Sequence, residues 1–258
     1  MLAGGQVATG GRRCVVDEDA KSRLRRVIGD EGVEKLEGSC VAVFGVGGVG
    51  SSCAEALARG GVGTLIFVDR DTVSPSNINR QALAFRSTVG KVKVDVMAAM
   101  TADINPEARV VTHEAFVLDN VEEVLRDDPA PDFIVDAVDT VAAKLALARY
   151  AADRGIPIVS SMGGANKIDP CALRFADLFE TRNCPLCRAM RKRARAEGIE
   201  RLTVLYSCEQ PVQVNEREGA DRRERTELGT MSYMPPIMGQ MLAGYVIRAL
   251  LGMSAKGC

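Results

Sequence analysis

Apolar runs alternate with helical patterns along the first two thirds of the chain. Five runs are typical of strands, at residues 40–45, 64–69, 108–113, 132–139 and 156–161. Helical patterns lie between them at 51–59, 89–104 and 141–154, and another precedes them at 21–36. The strand candidates are almost wholly apolar, which is typical of strands covered on both faces. With right-handed crossovers, this order predicts an α/β fold with a doubly wound, mostly parallel sheet.

After residue 162 the alternation changes. A short strand at 172–176, a basic helix at 185–197, a strand at 202–207 and a closing helix at 236–251 predict a small C-terminal α+β appendage. The chain is therefore divided into a flexible tail at 1–20, a main domain at 21–180 and an appendage at 181–258, and the two folded parts form one compact unit. The charged stretch NEREGADRRERTE, at 215–227, has no apolar period and is interpreted as a mobile loop.

Composition narrows the function classes. Hydrophobic residues make up 47% of the 258 residues, and the net charge of −1 gives no global sign of nucleic-acid binding. No apolar signal core is visible near the N-terminus. The apolar segment at 231–252 contains two prolines and an arginine, so we expect a packed helix and no membrane partner. Eight scattered cysteines without an export signal indicate reduced thiols in the cytoplasm.

The sequence GVGGVG joins the first predicted strand to a helix, as in Rossmann-like nucleotide-binding folds. Its glycines, Gly45, Gly47, Gly48 and Gly50, allow a close backbone approach to phosphate, and the helix offers free N–H groups. Asp69 ends the next strand, where an acid can bind ribose hydroxyls. This pattern predicts nucleotide binding but does not distinguish NAD from ATP.

Polar residues after the second strand favour ATP. DRDTVSPSNINRQ contributes Asp71, Asn77, Arg80 and Gln81, and STVGKVKVDVM contributes Lys93. A redox dinucleotide needs no such set of cations, whereas a triphosphate under attack develops charge that Arg and Lys stabilise. An NAD-dependent oxidoreductase would leave these residues without a role. Individually, Arg80 could be a surface cation and Lys93 could cover a helix face.

The stretch IVDAVDT places Asp136 and Asp139 at the carboxyl end of a strand, where such sheets bind ligands. A carboxylate at that edge can hold Mg²⁺ together with waters and phosphates. Asp139 could alternatively cap the helix that begins near Val141. The general base stays open, with Asp136 and Lys144 as the candidates.

The motifs GVGGVG, DRDTVSPSNINRQ, VGKVKVD and DAVDT, in this order, resemble the adenylating domain of ubiquitin-activating enzymes and of the bacterial activators of molybdenum-cofactor and thiamine sulfur carriers. Members of that family attach AMP to a carboxylate. The resemblance implies that Gly47 and Gly48 line the phosphates and that Asp69 holds the ribose. It also implies a homodimer in which Arg80, or an arginine at Arg23, reaches across the interface.

From the residues and the resemblance together, we predict the catalytic residues, the Mg²⁺ ligand and the ATP-binding residues, and these groups overlap. The catalytic set is Arg80, Lys93 and Asp139, and Asp139 is also the Mg²⁺ ligand. The ATP-binding set is Gly45, Gly47, Gly48, Gly50, Asp69, Asp71, Asn77, Arg80, Gln81 and Lys93.

Cysteine spacing argues against a zinc centre. Sulfur-carrier activators typically have two Cys-x-x-Cys pairs, but this chain has one, Cys184 and Cys187, and tetrahedral zinc needs four ligands. Cys208 could be imagined as a thioester nucleophile, although no histidine lies nearby in sequence. The single histidine, His113, is interpreted as structural.

The segments IPIVSSMGGANKIDPCALRFADLFET and GTMSYMPPIMGQMLAGYVIRALLG resemble the tRNA threonylcarbamoyladenosine dehydratase branch of this superfamily. That branch commonly has an acid in place of Cys184 and no Cys-x-x-Cys. The resemblance implies ATP-driven ring closure on a modified adenosine at position 37 of tRNA. Activation of a ubiquitin-like sulfur carrier is the alternative, a non-catalytic nucleotide-sensing scaffold is another, and a sulfur-relay partner stays open.

A tRNA substrate requires a positive surface. Residues 182–201 contain seven basic and two acidic side chains. Helical spacing places several of these cations on one face, which could follow an RNA backbone or could simply be solvated. The predicted tRNA-binding residues are Arg188, Arg191, Lys192, Arg193 and Arg195.

Overall fold

A seven-stranded sheet forms the centre of the protein. The computed structural model describes residues 19–213 and 228–253, so nearly all of the predicted tail and the whole predicted loop at 215–227 lie outside the described residues. The strand order is β3-β2-β1-β4-β5-β7-β6, and only β6 runs antiparallel to its neighbour. The strands are β1 Cys40–Phe44, β2 Thr64–Val68, β3 Arg109–His113, β4 Phe133–Asp136, β5 Ile158–Ser161, β6 Leu173–Asp177 and β7 Thr203–Ser207.

Helices cover both faces of this sheet, as the prediction of a doubly wound fold requires. They are α1 Ser22–Glu37, α2 Gly48–Arg59, α3 Lys93–Ile104, α4 Val121–Val124, α5 Val141–Arg154, α6 Pro185–Ala196 and α7 Met234–Leu250. Within the described ranges, no helix is long and apolar enough to cross a membrane.

Alternate residues of each central strand serve two separate cores. Val41 and Val43 of β1 pack with α2, α3 and α7, whereas Ala42 and Phe44 pack with α4 and α5. All five residues of β1 are buried. The nearly continuous apolar runs in the sequence follow from this arrangement, because a strand between two helical layers needs apolar side chains on both faces.

The C-terminal third completes the same sheet. Strand β7 inserts between β5 and β6, and it continues the parallel array before β6 closes the edge. Helix α7 packs closely along α2, where a Cβ at Gly239 would lie 2.4 Å from the Val49 carbonyl oxygen. The segment predicted as an appendage therefore supports the helix that follows the glycine turn.

Several predicted element boundaries were wrong, and two of these errors have a cause in backbone hydrogen bonds to distant residues. The helix predicted from residue 89 begins at Lys93, because residues 90 and 91 form backbone hydrogen bonds with Val73. The strand predicted at 132–139 ends at Asp136, after which the Ala137 N–H donates to the Phe44 carbonyl and the chain turns. The short helix α4 was not predicted.

Candidate active site

A cavity of about 630 Å³ opens at the carboxyl ends of the parallel strands. It lies where β1 and β4 are neighbours and the chain order along the sheet reverses, which is the usual ligand site of such folds. The predicted nucleotide and metal residues that line it are Gly45, Gly47, Gly48, Asp69, Asp71, Asn77, Arg80, Gln81, Lys93 and Asp139. Among the predicted nucleotide and metal residues, Gly50 alone does not line the cavity.

Gly45 and Gly50 shape the glycine turn from within. Gly45 has a φ of +83°, and a Cβ at this residue would lie 2.8 Å from the Ala137 carbonyl oxygen. A Cβ at Gly50 would lie 1.7 Å from the Gly45 carbonyl oxygen. These two glycines are therefore required for the fold of the turn, and they place the start of α2 against the cavity.

Gly47 and Gly48 form the floor that faces a ligand. The nearest atom to a Cβ at Gly47 would be the Gln81 side-chain nitrogen at 3.9 Å, so the space above this residue is open. Gly48 is the first residue of α2, and the first turn of a helix has N–H groups without intrahelical partners. Together they provide a surface with positive character that suits phosphate.

Asp69 ties the glycine turn to the loop after β2. One carboxylate oxygen accepts a hydrogen bond from the Val46 N–H at 2.8 Å, and the other accepts from the Asp71 N–H at 2.9 Å. The side chain lines the cavity as well. Its position therefore fits the predicted contact with ribose and also explains how two loops keep a common geometry.

The predicted cations lie on the same wall. The Lys93 side chain is only 6% exposed, and its ammonium donates to the Asp71 carboxylate at 2.8 Å. Arg80 is held by the Ser76 carbonyl at 3.0 Å and the Asn79 side-chain oxygen at 2.8 Å. Burial excludes the alternative that Lys93 merely covers a solvated helix face.

Asn77 and Gln81 complete this wall. The Asn77 side-chain oxygen accepts from the Ser74 N–H at 3.0 Å and fixes the turn before Arg80. Gln81 is buried, and its side-chain oxygen has no hydrogen-bond partner among the described residues. A buried acceptor without a partner is costly, so a donor from a bound molecule would suit this position.

Asp139 is exposed in the loop between β4 and α5. Its carboxylate accepts from the Thr140 hydroxyl at 3.1 Å, while Thr140 occupies the N-cap of α5 without a side-chain capping bond. Capping of α5 is therefore not the role of Asp139. In proteins, Mg²⁺ usually binds one or two carboxylates and completes its coordination with waters and phosphate oxygens. A single exposed aspartate in the cavity that also contains Arg80 and Lys93 therefore fits this ion.

The two general-base candidates bind each other beneath the cavity. The Lys144 ammonium donates to the Asp136 oxygens at 3.1 and 3.2 Å and to the Ser161 carbonyl at 2.7 Å. Ser160 donates to the same carboxylate, and both charged residues are fully buried. Neither lines the cavity, so their contacts indicate a structural ion pair under the site.

Sequence reasoning missed the far wall of the cavity. It is formed by residues 161–167, which follow β5, and by residues 184–186 at the start of α6. Lys167 is 2% exposed in this wall and donates to the Glu209 carbonyl. The position of residues 161–167 after a parallel strand was the one signal that could have assigned them to this edge of the sheet.

The sulfur groups behave differently from one another. Cys184 lines the cavity, and its hydrogen bond with Cys187 lowers the pKa of its thiol to about 6, with support from backbone N–H groups and Lys167. Cys208 does not line the cavity and instead accepts from Arg174 at 3.2 Å. The distance between His113 Nε2 and the Asp128 carboxylate is 2.6 Å, and neither residue lines the cavity. These contacts agree with a structural role for His113.

Helix α6 presents most of the predicted tRNA-binding cations to solvent. Arg188, Lys192, Arg193 and Arg195 are exposed, and Arg195 lies 5.3 Å from the centre of the Phe179 ring. Arg191 differs, because it is half-buried and donates to the Thr181 carbonyl at 2.9 Å and to the Thr181 hydroxyl. Arg191 therefore anchors the helix, and the other four form its exposed charged face.

The fold and the cavity define an α/β protein built to hold a nucleotide beside an acid and several cations, as adenylating enzymes do. The family model described as the ThiF family matches residues 20–257, and the chain belongs to this family.

Two named relatives and one solved structure are similar to this chain. The chain is 41% identical over 239 residues to the tRNA threonylcarbamoyladenosine dehydratase of Bacillus subtilis, and the match covers 89% of this chain and 94% of the relative. It is 38% identical to the Escherichia coli dehydratase over 67% of this chain and 64% of that protein. The E. coli dehydratase, solved in complex with ATP, superposes with a TM-score of 0.81 at 30% identity, covering 94% of this chain and all of that one.

Proposed function

We propose that the protein is an ATP-dependent tRNA threonylcarbamoyladenosine dehydratase. The observation that carries this proposal is the single cavity in which the glycine turn, the buried Lys93, Arg80 and Asp139 meet. The 41% identity to the B. subtilis dehydratase over nearly all of that protein supports the choice of substrate. The E. coli relative binds ATP and AMP in its solved complexes, which matches the chemistry that this cavity suits.

In this reaction the threonine carboxylate of the modified adenosine attacks the α-phosphorus of ATP, and the bond to pyrophosphate breaks. The carboxylate is then an acyl-adenylate with a good leaving group. The carbamoyl group of the same substituent attacks the acyl carbon, the ring closes and AMP departs. The sum is the loss of one water from the substrate, coupled to cleavage of ATP.

The chain's own residues act by binding and by charge stabilisation. The start of α2, Lys93 and Arg80 neutralise charge on the phosphates as pyrophosphate leaves. Asp69 would orient the ribose, and Asp139 would hold Mg²⁺, which would supply further positive charge to the phosphates. A carboxylate approaching a polyanion is repelled, so the cations on this wall are needed before any bond forms.

No enzyme nucleophile is needed for the second step. The attacking carbamoyl group and the acyl carbon belong to the same substituent, and well-oriented intramolecular reactions reach effective molarities of about 10⁵ M or more. This agrees with the ion pair beneath the cavity, in which the buried Asp136 and Lys144 already bind each other. The cysteine imagined as a nucleophile, Cys208, does not line the cavity.

The substrate is tested by mass spectrometry of tRNA nucleosides. Threonylcarbamoylated tRNA is incubated with the protein, ATP and Mg²⁺, and the modified adenosine should lose the mass of one water while AMP and pyrophosphate appear. The control replaces ATP with an analogue whose α,β-bridge cannot be cleaved. An unchanged nucleoside, together with pyrophosphate exchange stimulated by a carrier protein ending in Gly-Gly, would instead favour the sulfur-carrier activity.

The role of Lys93 is tested against a neighbouring lysine. We expect Lys93→Met to lower turnover by about 10²–10³, the usual effect of removing one donor that stabilises developing charge. Lys91 is two residues away, is exposed and does not line the cavity, so Lys91→Met is the matched control. Similar losses in both variants would remove Lys93 from the proposed mechanism.

The exposed cations of α6 are proposed to position tRNA. Arg188 and Lys192 lie one helical turn apart, and replacing both with Glu should weaken tRNA binding and flatten its salt dependence while ATP binding persists. Arg109 is exposed on β3, at the other edge of the sheet from β6, and Arg126 is exposed in the segment after α4, so reversing both charges provides the control. Equal tRNA affinity in the two double variants would contradict a role for α6.

We also propose a cytoplasmic homodimer, in which Arg80 or Arg23 reaches the neighbouring site. Arg23 is exposed on α1, close to the strongly exposed Val27, and Arg80 is half-buried at the cavity. Sedimentation equilibrium should give twice the 27.6 kDa chain mass. Mixing Arg80→Ala with Asp139→Ala subunits should restore part of the activity if the arginine acts in the partner's site, and would leave both inactive if it acts within its own chain.

A sulfur-relay partner would be captured by persulfide transfer to this chain, with the Cys208→Ser variant as a control.

A further inference from the structure

Cys184 and Cys187 form a pair of adjacent thiols in the wall of the cavity. Cys184 occupies the N-cap of α6, and its sulfur accepts the Cys187 N–H at 3.5 Å. Both side chains belong to the same buried cluster, between α5 and α6. The proposed dehydratase chemistry uses neither residue.

The surroundings divide the pair into a nucleophile and a resolving thiol. The Cys184 sulfur accepts the Cys187 N–H at the start of a helix, and Lys167 lines the same cavity. Both features favour the thiolate of Cys184. Cys187 is buried, and the thiolate beside it raises the pKa of the Cys187 thiol. These contacts favour the thiolate of Cys184 over that of Cys187, so Cys184 is the thiol that reacts first.

Only one of the two thiols can be reached from the cavity. Cys184 is 5% exposed and contributes to the cavity lining together with Pro185 and Leu186, whereas Cys187 is fully buried behind it. A small reagent that enters the cavity meets the Cys184 sulfur first. The other described cysteines lack this arrangement. Cys40 and Cys53 are buried with raised pKa values, Cys171 is exposed, and Cys208 accepts from Arg174 and does not line the cavity.

We infer that Cys184 and Cys187 are a thiol–disulfide couple, oxidised through the cavity by small disulfides of the glutathione class. The Cys184 thiolate attacks one sulfur of the oxidant, its S–S bond breaks and one thiolate leaves. Cys187 then gives its proton to solvent or to that leaving group and attacks the mixed disulfide, releasing the second thiol. The protein loses two protons and two electrons, and the oxidant becomes two thiols.

The couple is measured on the full-length chain in glutathione redox buffers, followed by alkylation and peptide mapping. We expect a peptide that contains residues 184–187 to lose two hydrogens, and dithiothreitol to restore it. Cys171→Ser should form the same crosslink, whereas Cys184→Ser should leave Cys187 as a free thiol. Cys187→Ser should stop at a mixed disulfide on residue 184.

The outcome separates the inference from general cysteine oxidation. If Cys171 takes up glutathione at equilibrium while residues 184 and 187 stay alkylatable, the inference is wrong. A crosslink from Cys184 to any other cysteine would overturn it equally. Far-UV circular dichroism of each Ser variant shows that the fold is kept, and the result does not depend on whether the proposed tRNA substrate is correct.

Discussion

The buried ion pair beneath the site offers the sharpest test of how the cavity is supported. Replacing Lys144 with Met keeps the length of the side chain and removes its ammonium. The Asp136 carboxylate would then keep only the Ser160 hydroxyl and the Val138 N–H, the latter at 3.2 Å, in a fully buried position. A charge left alone in the interior is costly, because neither water nor an opposite charge compensates it.

The size of the effect follows from that burial. Removing one partner of a buried ion pair typically costs about 3–5 kcal/mol. With a urea slope of about 3 kcal/mol per molar, the unfolding midpoint should fall by about 1–1.7 M. The chain has no tryptophan, so far-UV circular dichroism is the suitable signal. ATP affinity should fall as well, because Asp136 holds the turn that carries Asp139.

Two controls make this prediction refutable. Lys35 is exposed at the end of α1, and Lys35→Met should stay within about 0.5 kcal/mol of the parent. The double variant Lys144→Met, Asp136→Leu removes both charges and should be clearly more stable than Lys144→Met alone. If Lys144→Met unfolds within about 1 kcal/mol of the parent, the pair is not the support described here.

Two further predictions concern the turn and the thiol pair. Gly50→Ala should destabilise the protein by at least about 1–3 kcal/mol in urea unfolding, because its Cβ would overlap the Gly45 carbonyl, while Gly244→Ala, with open space around it, should stabilise by about 0.5–1 kcal/mol. Alkylation of Cys184 by iodoacetamide should speed up about tenfold from pH 5 to pH 7, because its thiol pKa is about 6 and the thiolate is the reactive form. Cys187, Lys167 and Arg191 act on this pair, and a rate that first rises above pH 8 would contradict the assignment.

Much of the fold was predictable because strands covered on both faces leave a plain signal in the sequence. The seven strands, the parallel order and the family resemblance were all predicted and are confirmed. Boundaries failed where a distant backbone partner decided the conformation. Residues 90 and 91 look helical in isolation, but their hydrogen bonds with Val73 hold them in a turn, and no local pattern contains that information.

The candidate site was predictable for a related reason. Gly47, Asp69, Arg80, Lys93 and Asp139 follow strands whose carboxyl ends meet at one edge, so chain order alone brought them together. Their catalytic and metal-binding roles stay predictions. Lys167 and Cys184 were missed. Lys167 follows β5 and could have been assigned to this edge in the same way, whereas Cys184 reaches the cavity through the placement of α6, which depends on packing between distant segments.

The cavity also depends on the far end of the chain. Pro235 of α7 lines it, and a Cβ on Gly48 would lie 2.9 Å from the Cβ of this proline. Gly239 lies against the α2 backbone one turn further along α7, where any side chain would push the two helices apart. The cavity floor at Gly47 and Gly48 is thus supported by the glycine turn itself and by the packing of α7 against α2. A nucleotide contact at Gly47 or Gly48 therefore bears directly on the packing of the C-terminal helix, which explains why segments more than 180 residues apart form one wall of the cavity.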